Sequence, residues 1–184
     1  EVLPAVQKLR IRYAKRGPLR FSSHRDFQRA LERALRRARV PMAYSAGFSP
    51  HPKVSYANAA PTGAASEAEY VEIGVVARCD PGALRVALDE ALPPGLDVLE
   101  VVEARTPDLV ARLEASRWRL EVPGVSSEQL ASAWQALLDA PTVPVERMMK
   151  QGRRTLDLRP ALLAGQVSQT GPLGTALDLT VANV

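Results

Sequence analysis

The stretch from Gln7 to Val40, QKLRIRYAKRGPLRFSSHRDFQRALERALRRARV, joins a strand pattern to a helix pattern. Apolar and basic residues alternate from Gln7 to Ala14, which is the period of a half-buried strand. Ser23 and Asp26 have the spacing of a helix capping box. From Phe27 to Ala38 the apolar residues recur at helical spacing. The stretch therefore predicts a β-strand followed by an amphipathic helix with a basic outer face.

The remainder of the chain repeats this alternation of strand and helix patterns. Further strands are predicted at 42–45, 54–58, 70–77, 96–104, 117–122, 143–150, 153–158 and 175–181. Helices are predicted at 81–92 and 126–138, and a short helical turn at 160–163. Each half approximates β-α-β-β-α-β, which is the ferredoxin-like order, with the second helix of the second half reduced. We therefore predict an α+β protein of two tandem ferredoxin-like (βαββαβ) halves, residues 1–105 and 106–184.

Positive charge is concentrated near the start of the chain. Between Lys8 and Arg39 twelve Lys or Arg residues stand against two acids, Asp26 and Glu32. The whole chain has 24 basic and 20 acidic residues, so the remainder is acidic on balance. A local surplus of this kind favours a polyanionic partner such as nucleic acid. A solvated helix face that keeps the domain in solution is the alternative interpretation.

The predicted first helix carries arginines on the face opposite its apolar residues. Guanidinium groups bind phosphates in bidentate fashion and stack on bases, which suits RNA. The predicted RNA-binding residues are Lys15, Arg16, Arg20, Arg25, Arg29, Arg33, Arg36 and Lys53, of which the first three are placed in the loop before the helix. A second basic cluster consists of Arg147, Lys150, Arg153 and Arg154.

Two histidines are the candidate catalytic residues. His24 lies at the first turn of the basic helix, and His51 lies between Pro50 and Pro52, which stiffen its loop. A pair of imidazoles beside a phosphate-binding surface could act as general acid and base in RNA cleavage. In the alternative interpretation, His24 caps a helix and His51 supports a turn.

Cofactor and membrane signals are missing from the sequence. The single cysteine, Cys79, excludes an internal disulfide and a self-contained iron–sulfur cluster, and it fits a reducing compartment. Two histidines and one cysteine without paired spacing do not make a zinc signature. No run of eighteen apolar residues occurs. We therefore expect a cytoplasmic protein with no metal, no cofactor and no membrane partner.

Two sequence blocks resemble a known bacterial family. These are KRGPLRFSSHRD, residues 15–26, and GFSPHPK, residues 47–53, with further likeness through EAEY, residues 67–70. They resemble the radical-SAM-linked or radical-SAM-associated proteins, a family of unknown function (DUF2344). The resemblance implies a radical SAM enzyme as partner, encoded nearby or fused, and it implies no activity. It is strong over about residues 7 to 105.

A weaker likeness is architectural. Tandem ferredoxin-like halves with a basic first helix are similar to the RNA-binding and RNA-cleaving proteins of CRISPR systems (the RAMP type). Some of those proteins use a histidine near the first helix as general base, and His24 would be the matching position. The glycine-rich loop typical of that superfamily is not evident in this sequence.

Three functional hypotheses follow. The first is a non-catalytic module that binds tRNA or rRNA and acts with a radical SAM enzyme in RNA modification. The second is a metal-independent endoribonuclease that uses His24 and His51. The third is a protein-interaction domain that docks its arginine face on an acidic surface of the radical SAM enzyme.

Overall fold

The computed structural model describes residues 3–57, 59–149, 151–168 and 174–183 of the 184-residue chain. The chain divides into two compact units, Glu1–Val110 and Ala111–Val184. This division falls a little beyond the position expected from the sequence. Helices and antiparallel sheets occur in both units. The α+β class is therefore confirmed.

The first unit has six main elements in ferredoxin-like order. They are β1 (Gln7–Lys15), α1 (His24–Arg37), β2 (Val54–Tyr56), β3 (Ser66–Val75), α2 (Pro81–Ala91) and β4 (Val98–Glu103). A 3-10 turn, Gly17–Phe21, links β1 to α1. The strands form one sheet in the order β2-β3-β1-β4. Every neighbouring pair is antiparallel, and β1 lies in the centre between β3 and β4.

The two faces of this sheet differ because side chains alternate along each strand. On one face Leu9, Ile11 and Tyr13 of β1 are buried in a single apolar core with residues of both helices. On the other face β1 presents Lys8, Arg10 and Arg12. The buried side of α1 includes Leu31, whose truncation to alanine would cost about 2–5 kcal/mol of unfolding free energy.

Only short pieces of the segment between α1 and β2 pair with the sheet. Met42 forms an isolated bridge with Val75 of β3, whereas the bridge between Tyr44 and Pro52 lies within the segment itself. The predicted strand at 42–45 is thus reduced to single bridges. Asn58, the last residue of the predicted strand at 54–58, lies outside the described residues.

The second unit combines a three-stranded sheet with a separate hairpin. Its elements are β5 (Ala115–Val122), α3 (Ser127–Asp139), β6 (Pro144–Met149), β7 (Gly152–Asp157), β8 (Leu162–Ser168) and β9 (Thr175–Ala182). Two 3-10 turns accompany them, Val110–Arg112 and Arg159–Ala161. The sheet order is β5-β9-β8, whereas β6 and β7 pair only with each other among the described residues.

The strands predicted at 143–150 and 153–158 are present as β6 and β7, whereas β8, the strand that joins the sheet beside β9, was not predicted. The hairpin strands, PVERMM and GRRTLD, lack a continuous apolar face that could pack under α3. The β8 strand contacts α3 instead. A Cβ atom added to Gly165 would lie 2.6 Å from Trp134, so glycine makes room for that indole. The reduced second helix appears as the 3-10 turn Arg159–Ala161. Lys150 lies outside the described residues.

Candidate nucleic-acid interface

The orientation of α1 is fixed by its first turn and by its apolar face. The Ser23 hydroxyl accepts the backbone N–H of Asp26 at 3.2 Å, and the Asp26 carboxylate accepts the backbone N–H of Ser23 at 3.0 Å. This confirms the predicted capping box. The buried face of the helix comprises Phe27, Ala30, Leu31, Ala34 and Leu35. Packing on that face holds the opposite, basic face toward solvent.

Three arginines on that exposed face form what we term the arginine stripe: Arg25, Arg29 and Arg33. All three are exposed, and successive members lie one helical turn apart. Among the described residues no salt bridge involves any of them. Hydrogen bonds from Ser23, aided by the charge of Arg29, lower the pKa of Asp26. The stripe is therefore an array of cations with no carboxylate of the described residues within salt-bridge distance.

The cations of β1 have a different environment. Glu72 of β3 accepts from Arg10 at 2.9 Å and lies 3.4 Å from the Lys8 amine. Arg10 also donates to both the hydroxyl and the carbonyl oxygen of Thr106. Arg12 lies 3.6 Å from Glu100 of β4. Carboxylates on the adjacent strands therefore compensate the strand's basic side chains.

Arg16, a predicted RNA-binding residue, bridges two acids. Its guanidinium binds both oxygens of Glu67, at 2.6 and 2.5 Å, and one oxygen of Asp97 at 2.8 Å. These hydrogen bonds, chiefly those to Glu67, raise the pKa of Arg16 and lower that of Glu67. Since its donors are already engaged, we do not include Arg16 in the candidate interface.

Lys15 does not lie in the loop where the sequence placed it. It is the last residue of β1, only 5% exposed, and its amine lies 3.5 Å from the carbonyl oxygen of Ser22. The strand continues one residue beyond the predicted end at Ala14, and its register with β3 shifts between Tyr13 and Lys15. The loop placement was wrong, and the buried amine is not available to a phosphate at the surface.

The other predicted basic residues are exposed at different places. Arg20 covers the ring of Phe21, with its guanidinium carbon 4.6 Å from the ring centroid. Arg36 lies in the last turn of α1 and donates to the carbonyl oxygen of Glu32 at 3.3 Å. Lys53 lies on the face of the sheet opposite α1. Its Cβ is 3.4 Å from a Cβ added to Gly74, and Gly74 pairs with Lys8 on that face. Arg20 and Arg36 remain candidates for the interface.

A cleft of about 250 Å³ lies along α1 beside the segment that precedes β2. Its lining consists of Glu32, Leu35, Arg36, Val40, Met42, Tyr44 and Pro52. The cleft combines an apolar floor with one carboxylate, one guanidinium and one phenol. Composition alone did not reveal it, because its walls combine α1 with the irregular segment between α1 and β2.

His24 is the first residue of α1, so it lies at the opposite end of the helix from Arg36. Its ring meets that of Tyr56 edge to face, with centroids 5.0 Å apart, and Gln28 donates to its Nε2 at 2.9 Å. Burial, followed by the charge of Glu32, raises the pKa of Tyr56 to about 12. His24 is therefore an exposed imidazole supported by an aromatic edge and an amide.

His51 is held elsewhere. Its backbone N–H donates to the Ser45 hydroxyl at 3.0 Å, and its carbonyl accepts from the Ser45 N–H at 2.8 Å. Pro52 lines the cleft beside α1, and the neighbouring His51 is exposed. Within the described residues no ring contact or hydrogen bond joins His51 to His24. A shared acid–base site of His24 and His51 therefore stays a prediction.

Phe48 is a residue that the site prediction did not include. Its side chain is fully exposed in the loop before His51. Gly47, directly before it, adopts a φ of +126°, a conformation that residues with side chains rarely take. The only sequence signal for this tip was the Gly-Phe pair inside the GFSPHPK block.

The described part of the chain contains no group of three or more His, Cys, Asp or Glu side chains placed to hold a metal ion. Across the same residues, no helix combines the length and the apolar character needed to cross a membrane.

The family described as "Uncharacterized protein conserved in bacteria (DUF2344)" matches residues 8–183. The chain belongs to this family. The match covers both units, including the second, where the sequence blocks quoted above do not reach. No curated protein matches the chain.

Proposed function

We propose that this member of the DUF2344 family is a non-catalytic RNA-binding module. It would act with a radical SAM enzyme in the modification of tRNA or rRNA. The observation that carries the proposal is the arginine stripe, which is exposed and has no salt bridge among the described residues. The neighbouring cations of β1, by contrast, are compensated by Glu72 and Glu100.

The stripe suits a phosphate backbone for three physical reasons. Its arginines repeat about every 6 Å along a helix whose first turn is capped, so their spacing is held by the backbone. A guanidinium presents a planar fork of donors that matches phosphate oxygens. Each phosphate it neutralises releases counterions, so binding should weaken steeply as salt is added.

The cleft beside α1 gives the proposed interface a place for a base. Tyr44 and Met42 supply an apolar wall, and Glu32 and Arg36 supply an acceptor and donors at its edge. RNA-binding proteins commonly hold an unstacked base against an aromatic ring and hydrogen-bond its edge. A single-stranded or looped segment of RNA would fit this arrangement better than a continuous duplex.

The radical SAM partner is part of the proposal because of the two sequence blocks that resemble the radical-SAM-linked proteins. The second block coincides with the loop that exposes Phe48. Aromatic side chains are enriched in protein interfaces. We assign the Phe48 loop to contact with the enzyme and the arginine stripe to contact with RNA.

The first experiment measures binding of fluorescently labelled bulk tRNA by anisotropy at low salt. The double variant Arg29→Glu with Arg33→Glu should lose roughly a hundredfold in affinity, because two phosphate contacts become repulsions. A double variant with Arg85→Glu and Arg105→Glu makes the same change in net charge at residues outside α1 and should lose far less. Unchanged affinity in the α1 variant would contradict the proposal.

The endoribonuclease is a second candidate, favoured by the exposed imidazole of His24 at the end of the arginine stripe. It predicts cleavage of tRNA in the presence of EDTA that is lost in His24→Ala and in His51→Ala. Cleavage that persists in His24→Ala would eliminate it. Gln28→Ala serves as a control, because it removes only the hydrogen bond to His24.

The protein-interaction domain is separated from both by co-purification. If the radical SAM enzyme bound without nucleic acid at low salt, and the arginine stripe were required for that contact, the third hypothesis would replace the first. The proposal instead expects Phe48→Ser to weaken the enzyme contact while tRNA affinity stays unchanged.

A further inference from the structure

We propose that one face of the β6–β7 hairpin is a second RNA-binding site, whose ligand is the phosphate backbone held between Arg147 and Arg154. The inference rests on the proposed function in that the ligand is RNA. It names a different unit of the chain and a different set of residues.

The register of the hairpin places two arginines directly opposite each other. Arg147 of β6 pairs with Arg154 of β7, Val145 pairs with Leu156, and Met149 pairs with Gly152. Because side chains alternate, these six residues share one face. That face therefore carries two arginines among apolar side chains and no carboxylate. The opposite face contains Glu146 and Arg153, which form an ion pair at 3.1 Å.

Opposed arginines are unusual in an isolated pair of strands. Directly opposite residues have Cβ atoms about 5 Å apart, and like charges at that distance destabilise the pair. Among the described residues the Arg147 side chain has neither a hydrogen bond nor an ion pair, and the Arg154 guanidinium donates only to the Gln151 side chain, at 2.9 Å. The contrast with the paired Arg153 indicates a face arranged for an external anion.

The hairpin is exposed over nearly its whole length. Every described residue of β6 and β7 except Val145 is exposed, and neither strand joins the sheet of β5, β9 and β8. An isolated hairpin is marginally stable in water, so a ligand that removes the charge repulsion would also order it. Met148, on the other face, is exposed as well.

Phosphate is favoured over a protein carboxylate by the geometry of the two donors. Guanidinium groups that approach from both strands can each direct a fork of N–H donors at one phosphate. Met149 and Leu156 flank them with apolar surface that a ribose or a base can cover. An acidic protein surface offers the charge without that second contact, and the experiments below distinguish the two.

The affinity test uses two neighbouring positions of β7 in the full-length chain. Arg154→Gln and Arg153→Gln remove the same charge from adjacent residues that face opposite ways. Arg154→Gln should weaken bulk tRNA binding roughly fivefold and reduce the slope of log K against log salt by about 0.7. Arg153→Gln should change affinity less than about twofold, because its guanidinium is already paired. Equal losses in the two variants would overturn the proposal.

Hydrogen exchange of residues 144–157 provides the second test. Saturating bulk tRNA should slow exchange in the wild-type hairpin and leave it unchanged in the Arg147→Thr, Arg154→Thr double variant. If tRNA binds through α1 but the hairpin is not protected, this inference is wrong and the proposed function stands. If polyglutamate protects the hairpin as well as tRNA does, the phosphate assignment is wrong.

The double variant Arg29→Glu with Arg33→Glu distinguishes failure of the hairpin site from failure of the proposed function. If it binds tRNA normally while Arg154→Gln is impaired, the hairpin site stands and the arginine stripe is not the RNA interface. If wild-type protein binds no tRNA at low salt, both proposals fall.

Discussion

Strand β1 and helix α1 are adjacent in sequence and similarly basic, yet their cations have opposite environments. In β1, Arg10 forms an ion pair with Glu72 of β3, and Arg12 forms one with Glu100 of β4. In α1, Arg29 and Arg33 are exposed and form no salt bridge among the described residues. A charge count treats the two segments alike. The antiparallel register shows which cations are paired with acids on adjacent strands, and the remaining cations are available to a ligand.

The difference follows from how many neighbours each element has. A central strand has a strand on both sides, so each outward side chain has cross-strand partners a few ångströms away. A helix packed on a sheet has neighbours on its inner face only, so its outer residues contact solvent or a ligand. Charge on the outer face of a helix is therefore a better indicator of binding than charge on a central strand.

The largest expected effect is on the strand side of this comparison. Glu72→Gln removes the acid that contacts both Lys8 and Arg10, and Arg10 is only 14% exposed. Leaving that guanidinium without its carboxylate should lower the free energy of unfolding by about 2 kcal/mol in urea denaturation. Glu90→Gln, on the exposed side of α2, is the control and should change it by less than about 0.5 kcal/mol. Equal losses would mean that the pairing in β1 is incidental.

A smaller loss is expected at the start of the helix. Ser23→Ala removes the hydroxyl that accepts the Asp26 N–H, which should cost about 1 kcal/mol of unfolding free energy. Ser126→Ala removes the corresponding cap of α3 and should cost about the same. Only Ser23→Ala should also weaken tRNA binding, since its helix carries the arginine stripe. A matching loss of tRNA affinity in Ser126→Ala would argue against that assignment.

The same cap makes part of the stability dependent on pH. Hydrogen bonds from Ser23 lower the pKa of Asp26 in the folded state, so folding favours the ionised carboxylate. That contribution is complete above the unfolded pKa and is lost as the pH falls through the lower, folded value. Asp26→Asn should therefore flatten the acid limb of stability below about pH 4, measured by thermal unfolding across pH. An unchanged limb would show that other carboxylates account for it.

The smallest effect on stability is expected at the arginine stripe itself. Arg33→Gln should change the unfolding free energy by less than about 0.5 kcal/mol, because the side chain is exposed and has no salt bridge among the described residues. Its tRNA affinity should nevertheless fall. Lys15→Met is the informative partner, since the buried amine should contribute nothing to RNA binding. If Lys15→Met weakened binding as much as Arg33→Gln, the distinction between strand and helix would fail.

Local signals predicted the first unit well. The capping box at Ser23 and the alternation of β1 are determined by residues close together in sequence, and both are present in the structure. The second unit was harder, because β8 contains Gly165 in place of an alternating apolar residue. Its position depends on contact with Trp134, about thirty residues earlier. A single sequence does not show which strand will accommodate that indole.

The candidate site was predicted only in part, because some of its contacts join residues that are distant in sequence. Helical spacing placed Arg25, Arg29 and Arg33 on one face, and the structure places them there. Periodicity could not predict that Arg16 would meet Glu67 and Asp97, since those acids follow it by fifty-one and eighty-one residues. The cleft depends on the path of the chain between α1 and β2, where strand and helix patterns are weakest.

The packing of Trp134 against β8 also has an optical consequence. Both tryptophans, Trp118 and Trp134, belong to the second unit, whereas all four tyrosines belong to the first. Tryptophan emission therefore reports on the second unit alone, and tyrosine absorbance reports on the first. The native chain carries its own pair of separate spectroscopic probes, so the order in which its two units melt can be observed without attaching a label.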